Sequence, residues 1–247
     1  MTTICKNCNN DFEGNFCNIC GQTADTHKLT LHFIWHDLQH GLLHFDNGIF
    51  FTVKQLLTRP GHTIREFIDG KRVRHFKPLS LVIVLATLYG LLYHYFIHDL
   101  FDVKHITAEE NVASASVNVV KWITDHFAYV SLFAIVNATI ASYLVFKKQG
   151  HNLAEHLVLN TFYMGLILVI TLITLPILYA YRNAEPVKWY PPVTWMMNFV
   201  LMYWCYAQFF NNMPKIKSLG FTVLTFLIMT IINLFMVYVV GWIVSFV

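Results

Sequence analysis

The chain has 247 residues, of which 56% are hydrophobic, 16% are aromatic and only 13% are charged, and its formal net charge is +3. In soluble domains about a quarter of the residues are charged. The mean hydropathy of this chain is +0.50. The composition therefore predicts a membrane protein without a large soluble core. The small net charge argues against a nucleic-acid-binding protein. The polar start of the chain, Met1 to Lys6, lacks the apolar stretch of a cleavable signal peptide.

Four of the five cysteines form two Cys-x2-Cys pairs that are separated by eight residues. They are Cys5, Cys8, Cys17 and Cys20. This spacing predicts a small zinc ribbon over residues 1–24, in which four thiolates bind one structural Zn2+ and leave no open position for a substrate. Gly21 permits the tight turn after the second pair, and Phe12 and Phe16 are the sizeable apolar groups available to the ribbon's core. Iron in place of zinc, a redox-active dithiol pair and unligated thiols are the alternatives.

Between the cysteines and the first long apolar run, residues 27–78 contain short helical patterns. Apolar side chains recur at helical spacing over 29–45 and leave a polar opposite face. Two further helices are predicted near 49–57 and 61–69, separated by a Pro-Gly break. All three are too short to span a bilayer, so we expect them to lie on the cytoplasmic membrane surface or to cap the bundle.

The first of these helices carries four histidines at every fourth position, and two more flank a glutamate further along the chain. They are His32, His36, His40, His44, His151 and His156. We expect the first four to be water-exposed or to face headgroups, but they are also candidates for a second metal site or for pH sensing. A membrane enzyme that uses histidine-bound metal to act on lipid is therefore an alternative. The chain lacks the His-x-x-His-His and His-Glu-x-x-His motifs that would favour it.

The rest of the chain, residues 79–247, reads as a transmembrane helical bundle. We predict about five spans, at 79–97, 127–146, 157–180, 193–210 and 219–243. A basic run precedes the first span, and it consists of Lys71, Arg72, Arg74 and Lys77. By the positive-inside rule this run places the N-terminus in the cytoplasm. Five spans then place the C-terminus outside. The same side chains are a candidate site for anionic lipid headgroups.

Polar side chains inside the predicted spans are few. They are His94, Asn137, Asn160, Asn198 and Asn233. We expect the amides to form hydrogen bonds between helices, which is a common use of asparagine in membranes. The alternative is that they line the path of a channel or of a lipid or solute carrier.

The pattern of the N-terminal third resembles a known family. It contains Phe16-Cys17-x2-Cys20-Gly21-Gln22, Leu56-Leu57-x2-Pro60-Gly61, Gly70-Lys71-Arg72-x-Arg74 and Pro78. Residues 5–80 thereby resemble the bacterial domain-of-unknown-function family 3667. The resemblance implies a multi-pass protein of the bacterial inner membrane with a cytoplasmic zinc ribbon, and it implies no substrate or reaction.

Together these patterns predict an all-α polytopic membrane protein with a zinc ribbon and amphipathic surface helices. We expect a non-enzymatic docking or assembly protein, because no catalytic set is recognisable. Its expected partners are the lipid bilayer and a second protein or another copy of the chain. Nucleic acid is excluded as a ligand of the ribbon, because Asp11, Glu13 and Asp25 outnumber Lys6 and Lys28 in residues 1–28.

Overall fold

The computed structural model describes residues 2–26, 28–31, 48–96, 122, 126–180 and 190–244. Within these ranges a two-stranded N-terminal unit is followed by seven α-helices. They are α1 (Gly48–Thr58), α2 (Pro60–Ile68), α3 (Pro78–Phe96), α4 (Phe127–Phe146), α5 (Leu153–Ala180), α6 (Tyr190–Phe209) and α7 (Lys215–Val244). Most of the helix predicted over 29–45, with its four histidines, lies outside the described residues.

The N-terminal unit is built on one short antiparallel ladder. Strand β1 (Thr3–Ile4) pairs with β2 (Asp11–Phe12), and Thr3 lies opposite Phe12. Phe12 is buried beside two of the cysteines, as expected of the ribbon's core. The expectation for Phe16 is wrong, since 62% of this residue is exposed. The core is small enough to be filled by Phe12 and the cysteines, which leaves Phe16 on the surface.

Helices α1 and α2 confirm the two short helices predicted from the Pro-Gly break. Pro60 occupies the first turn of α2, where its missing N–H would have no intrahelical partner. The Arg59 guanidinium joins the two helices, because its Nε donates to Gln55 Oε1 on α1 and its Nη2 lies 3.0 Å from Glu66 Oε2 on α2. The apolar face of α2 packs against α5 and α6. Helix α2 therefore caps the bundle instead of lying apart on a surface.

The five long helices match the five predicted stretches to within about one turn. Helix α5 begins earlier than predicted because Asn152 and Glu155 cap it reciprocally. Asn152 Oδ1 accepts from the backbone N–H of Glu155 at 2.9 Å, and Glu155 Oε2 accepts from that of Asn152 at 3.1 Å. Glu155 is thus drawn into the first turn of the helix.

Among the described residues, three helical segments are long and apolar enough to cross a membrane. They are Tyr129–Gln149, Leu153–Ile177 and Lys215–Ile243. This indicates a membrane protein. Pro78–Tyr93 is a shorter apolar segment, and α6 is interrupted by polar residues such as Asn198 and Gln208. Five crossings therefore stay a prediction.

Helix α5 occupies the centre of the bundle and contacts α2, α3, α4 and α6. The core at the end that α2 caps is rich in aromatic rings. Phe146 stacks on Phe210 with ring centroids 4.1 Å apart and meets Tyr206 edge-on at 5.5 Å. Phe67 of α2 meets Phe162 of α5 edge-on at 5.2 Å. These contacts join the short helices to the long ones in one continuous core.

Candidate metal centre

The four paired cysteines converge at one end of the N-terminal unit. Their sulfur atoms all lie within 4.8 Å of one another. Cys5 Sγ is 3.5 Å from Cys20 Sγ, and Cys8 Sγ is 3.6 Å from Cys17 Sγ. A tetrahedral Zn2+ with bonds of about 2.3 Å has sulfur–sulfur edges of about 3.8 Å. The observed separations fit such a site, so the four thiols could hold one metal ion.

The chain folds the same way around each cysteine pair. In the first pair, the N–H of Cys5 donates to Asn10 and the N–H of Asn9 donates back to Cys5. In the second, the N–H of Cys17 donates to Gln22, and the N–H of Gly21 donates to Cys17. Gly21 has a φ of +73°, a conformation that favours glycine at this turn. Both turns fold the chain back so that the two thiols of each pair face the same point.

The surroundings of Cys17 lower the pKa of its thiol. Burial opposes its ionisation, but backbone hydrogen bonds from Cys20 and Ile19, together with side-chain hydrogen bonds from Cys8 and Cys20, outweigh this effect and lower its pKa to about 6. A metal binds the thiolate form of cysteine. The local backbone therefore favours the protonation state that a metal ligand needs.

Among the residues that the structure describes, the four cysteines are the one group of three or more metal-ligating side chains whose ligand atoms converge. His151 and His156 lie near each other, with ring centroids 6.4 Å apart. His151 Nδ1 is 3.0 Å from Glu155 Oε2, and His156 Nδ1 is 3.0 Å from Ser142 Oγ. The predicted partners His32, His36, His40 and His44 lie outside the described residues, so a second metal site stays a prediction.

The ribbon is attached to the rest of the protein at the basic turn, which we define as residues 70–77. Gln22 Oε1 accepts hydrogen bonds from the backbone N–H groups of Arg72 and Val73, at 3.1 and 3.0 Å. Lys6 Nζ donates to the carbonyl oxygen of Thr26 at 3.0 Å, and the Lys6 side chain lies against Gly70. Gln22 is 4% exposed. Sequence reasoning missed this contact, because about fifty residues separate its two sides.

Two of the candidate lipid-binding side chains of the basic turn contact groups within the protein. Lys71 Nζ lies 3.7 Å from Glu66 Oε1, and the Arg72 guanidinium lies 5.7 Å from the centre of the Phe67 ring. Arg74 is exposed. His75 packs between Phe51 and Phe67, and burial lowers its pKa to about 4.

Three of the four predicted amides contact other helices. Asn137 Nδ2 on α4 donates to Asn233 Oδ1 on α7 at 2.8 Å and to the carbonyl of Met229 at 3.2 Å. Asn160 on α5 donates to Ser142 Oγ on α4 at 2.9 Å and accepts from Tyr206 Oη on α6 at 2.6 Å. These contacts are of the packing kind expected from the sequence.

The other two predicted intramembrane groups lie on α3 and α6. The backbone carbonyl of Asn198 accepts from Tyr163 Oη at 2.8 Å, and Asn198 Oδ1 has no hydrogen-bond partner among the described residues. His94 belongs to α3, and its side chain lies outside the described part of the structure.

Residues 46–90 match the model of a family described as Protein of unknown function (DUF3667). The matched segment contains α1, α2, the basic turn and the first part of α3. No curated protein and no solved structure matches the chain. The family resemblance predicted from the motifs is confirmed over residues 46–90, and the match does not include the cysteine pairs.

Proposed function

We propose that this protein is a non-enzymatic membrane protein whose N-terminal zinc ribbon serves as a docking module for a protein partner. The convergence of four cysteine sulfurs within 4.8 Å carries the proposal. A site with four protein ligands has no position for water or substrate, which favours a structural role over a catalytic one. Tetrahedral thiolate sites take zinc or iron, and we assign zinc here.

The surface of the ribbon supports docking. Three large apolar residues of this small unit are exposed, namely Ile4 at 67%, Phe16 at 62% and Ile19 at 69%. Large apolar side chains left exposed on so small a module are candidates for contact with a partner. Because Gln22 and Lys6 bind the ribbon to the basic turn, a partner bound there would be held next to the helical bundle.

The charges of the loops support the orientation. Lys71, Arg72 and Arg74 precede α3, whereas the segment after it contains Asp99 and Asp102. This asymmetry favours a cytoplasmic ribbon, and five crossings would place the C-terminus outside. The family resemblance supports the bacterial inner membrane as the location. A channel or carrier has less support, since Asn137, Asn160 and Asn233 use their amides in contacts between helices.

The test is extraction of the full-length protein from its native membranes in a mild detergent, followed by quantitative mass spectrometry and a metal assay. We expect a stoichiometric partner protein that is lost in Phe16→Ser/Ile19→Ser while the bound zinc remains. Ile216→Ser is the control, because Ile216 is 77% exposed on α7, outside the ribbon.

Pull-down between two differently tagged copies distinguishes a homo-oligomer from a second protein. Wild-type protein that emerges as a solitary chain would refute docking. A partner that is retained in the ribbon variant but lost in the α7 control would place the interface elsewhere.

A further inference from the structure

The basic turn is held from two sides. On one side, Gln22 Oε1 accepts from the N–H groups of Arg72 and Val73. On the other, the N–H of Phe76 donates to Thr52 Oγ1 at 2.8 Å, and both of these residues are buried. Gly70 begins the turn with a φ of +111°, where a side chain would also meet Lys6 at 2.8 Å. The backbone of the turn is therefore fixed by groups other than its basic side chains.

Positive charge is concentrated around this turn. Residues 54–77 contain seven basic side chains and two acidic ones, which gives 7 − 2 = +5 against +3 for the whole chain. The basic residues are Lys54, Arg59, Arg65, Lys71, Arg72, Arg74 and Lys77, and the acidic ones are Glu66 and Asp69. Glu66 already pairs with both Arg59 and Lys71. The local charge is thus well in excess of what the neighbouring carboxylates neutralise.

The turn also lies at the start of an apolar helix. Helix α3 begins at Pro78, directly after the turn, and its segment Pro78–Tyr93 is apolar. Lys71 and Arg74 are exposed on the turn. If α3 enters the bilayer, both side chains lie at the depth of the lipid headgroups.

We propose that the basic turn, held in place by Gln22 and Thr52, binds the phosphate groups of anionic lipid headgroups. Lys71 and Arg74 supply the exposed positive charge, and the fixed backbone presents them together. Each basic residue near an anionic membrane surface contributes roughly 1 kcal/mol, which strengthens binding about fivefold. This site uses none of the exposed apolar side chains of the ribbon, so it does not depend on the proposed protein partner.

The experiment measures lipid selectivity on the full-length protein reconstituted into phosphatidylcholine membranes. Spin-labelled phosphatidylglycerol and spin-labelled phosphatidylcholine are compared by the fraction that the protein immobilises. Lys71→Gln/Arg74→Gln removes two charges from the turn. Lys147→Gln/Lys148→Gln removes two charges from another basic boundary, directly after α4. Gln22→Ala leaves the charge unchanged but removes the acceptor that holds the turn.

We expect the wild type to prefer phosphatidylglycerol, and the Lys71/Arg74 variant to lose this preference by about tenfold or more. The Lys147/Lys148 variant should keep most of it, and Gln22→Ala should lower it with bound metal unchanged. Equal losses in the two charge variants would overturn the proposal, because general electrostatics would then explain the selectivity. Unchanged selectivity in Gln22→Ala would overturn the role of the ribbon. Displacement of the labelled lipid by inorganic phosphate at matched ionic strength would assign the turn to a soluble anion instead.

Discussion

Helix α2 approaches α6 closely at Gly61, and this contact gives a sharp test of the fold. A Cβ atom at this position would lie 2.2 Å from the carbonyl oxygen of Cys205, 2.4 Å from the backbone nitrogen of Phe209 and 2.5 Å from Gln208 Cβ. Two of these atoms are backbone, so side-chain rotation cannot relieve the clash. The Gly61 N–H also donates to Gln208 Oε1 at 3.1 Å. Gly61→Ala must therefore push α2 away from α6.

Overpacking of this kind costs about 2–3 kcal/mol in the free energy of unfolding. For a chain of this length we expect the melting temperature to fall by about 5–10 °C. Scanning fluorimetry of the detergent-solubilised protein measures it. Gly90→Ala is the matched control, because a Cβ at Gly90 on α3 has no neighbour within 4 Å, and alanine in a helix is favoured over glycine. Equal melting temperatures for the two variants would refute the close approach of α2 to α6.

Four further predictions follow from single contacts. Cys17→Ser should abolish metal binding and make the first twenty or so residues sensitive to protease; retained zinc would contradict the four-thiolate site. Asn137→Leu should lower stability to SDS unfolding by about 1 kcal/mol, because it removes the hydrogen bonds from α4 to Asn233 and Met229. Tyr206→Phe should destabilise by about 1–2 kcal/mol, because it leaves Asn160 Oδ1 without its donor, and an unchanged unfolding curve would count against this network. Burial gives His75 a pKa of about 4 in the folded state, against an ordinary 6.5. Between these pH values the unfolded chain binds more protons than the folded one, so stability should fall as the pH drops from about 6.5 towards 4. His75→Phe should flatten this part of the plot of melting temperature against pH.

The local features of the fold were predictable from the sequence. The Pro-Gly break at residues 60–61 separates α1 from α2, and runs of apolar residues define α3 to α7, because these signals act over a few neighbouring residues. The cysteine spacing likewise predicts the convergence of the four sulfurs. The start of α5 was missed because the apolar run begins later than the Asn152 cap, which is a polar signal.

The long-range contacts were not predictable from one sequence. The pairing of Gln22 with the basic turn depends on the path of the chain between them, and nothing in the two segments marks them as partners. The partner of Asn160 was not predictable either. The sequence predicts that its amide bonds to another helix, but nothing marks Tyr206 as the partner. Gly61 is an intermediate case. The sequence marks it as a helix start, but only the packing of α2 on α6 explains why a larger residue would not fit.

The link between the ribbon and the bundle depends on backbone atoms of the basic turn. Gln22 follows the last knuckle directly, and its carbonyl accepts from the N–H of Cys17, so the fold around the metal ligands also positions its side chain. Its amide oxygen binds the N–H groups of residues 72 and 73 whatever side chains those residues carry. The basic side chains are therefore not needed for these two hydrogen bonds to the N-terminal unit. The proposed metal would supply most of the folding free energy of so small a unit. Its removal should therefore unfold the N-terminal unit and release the turn from Gln22, while the hydrogen bond from Phe76 to Thr52 stays.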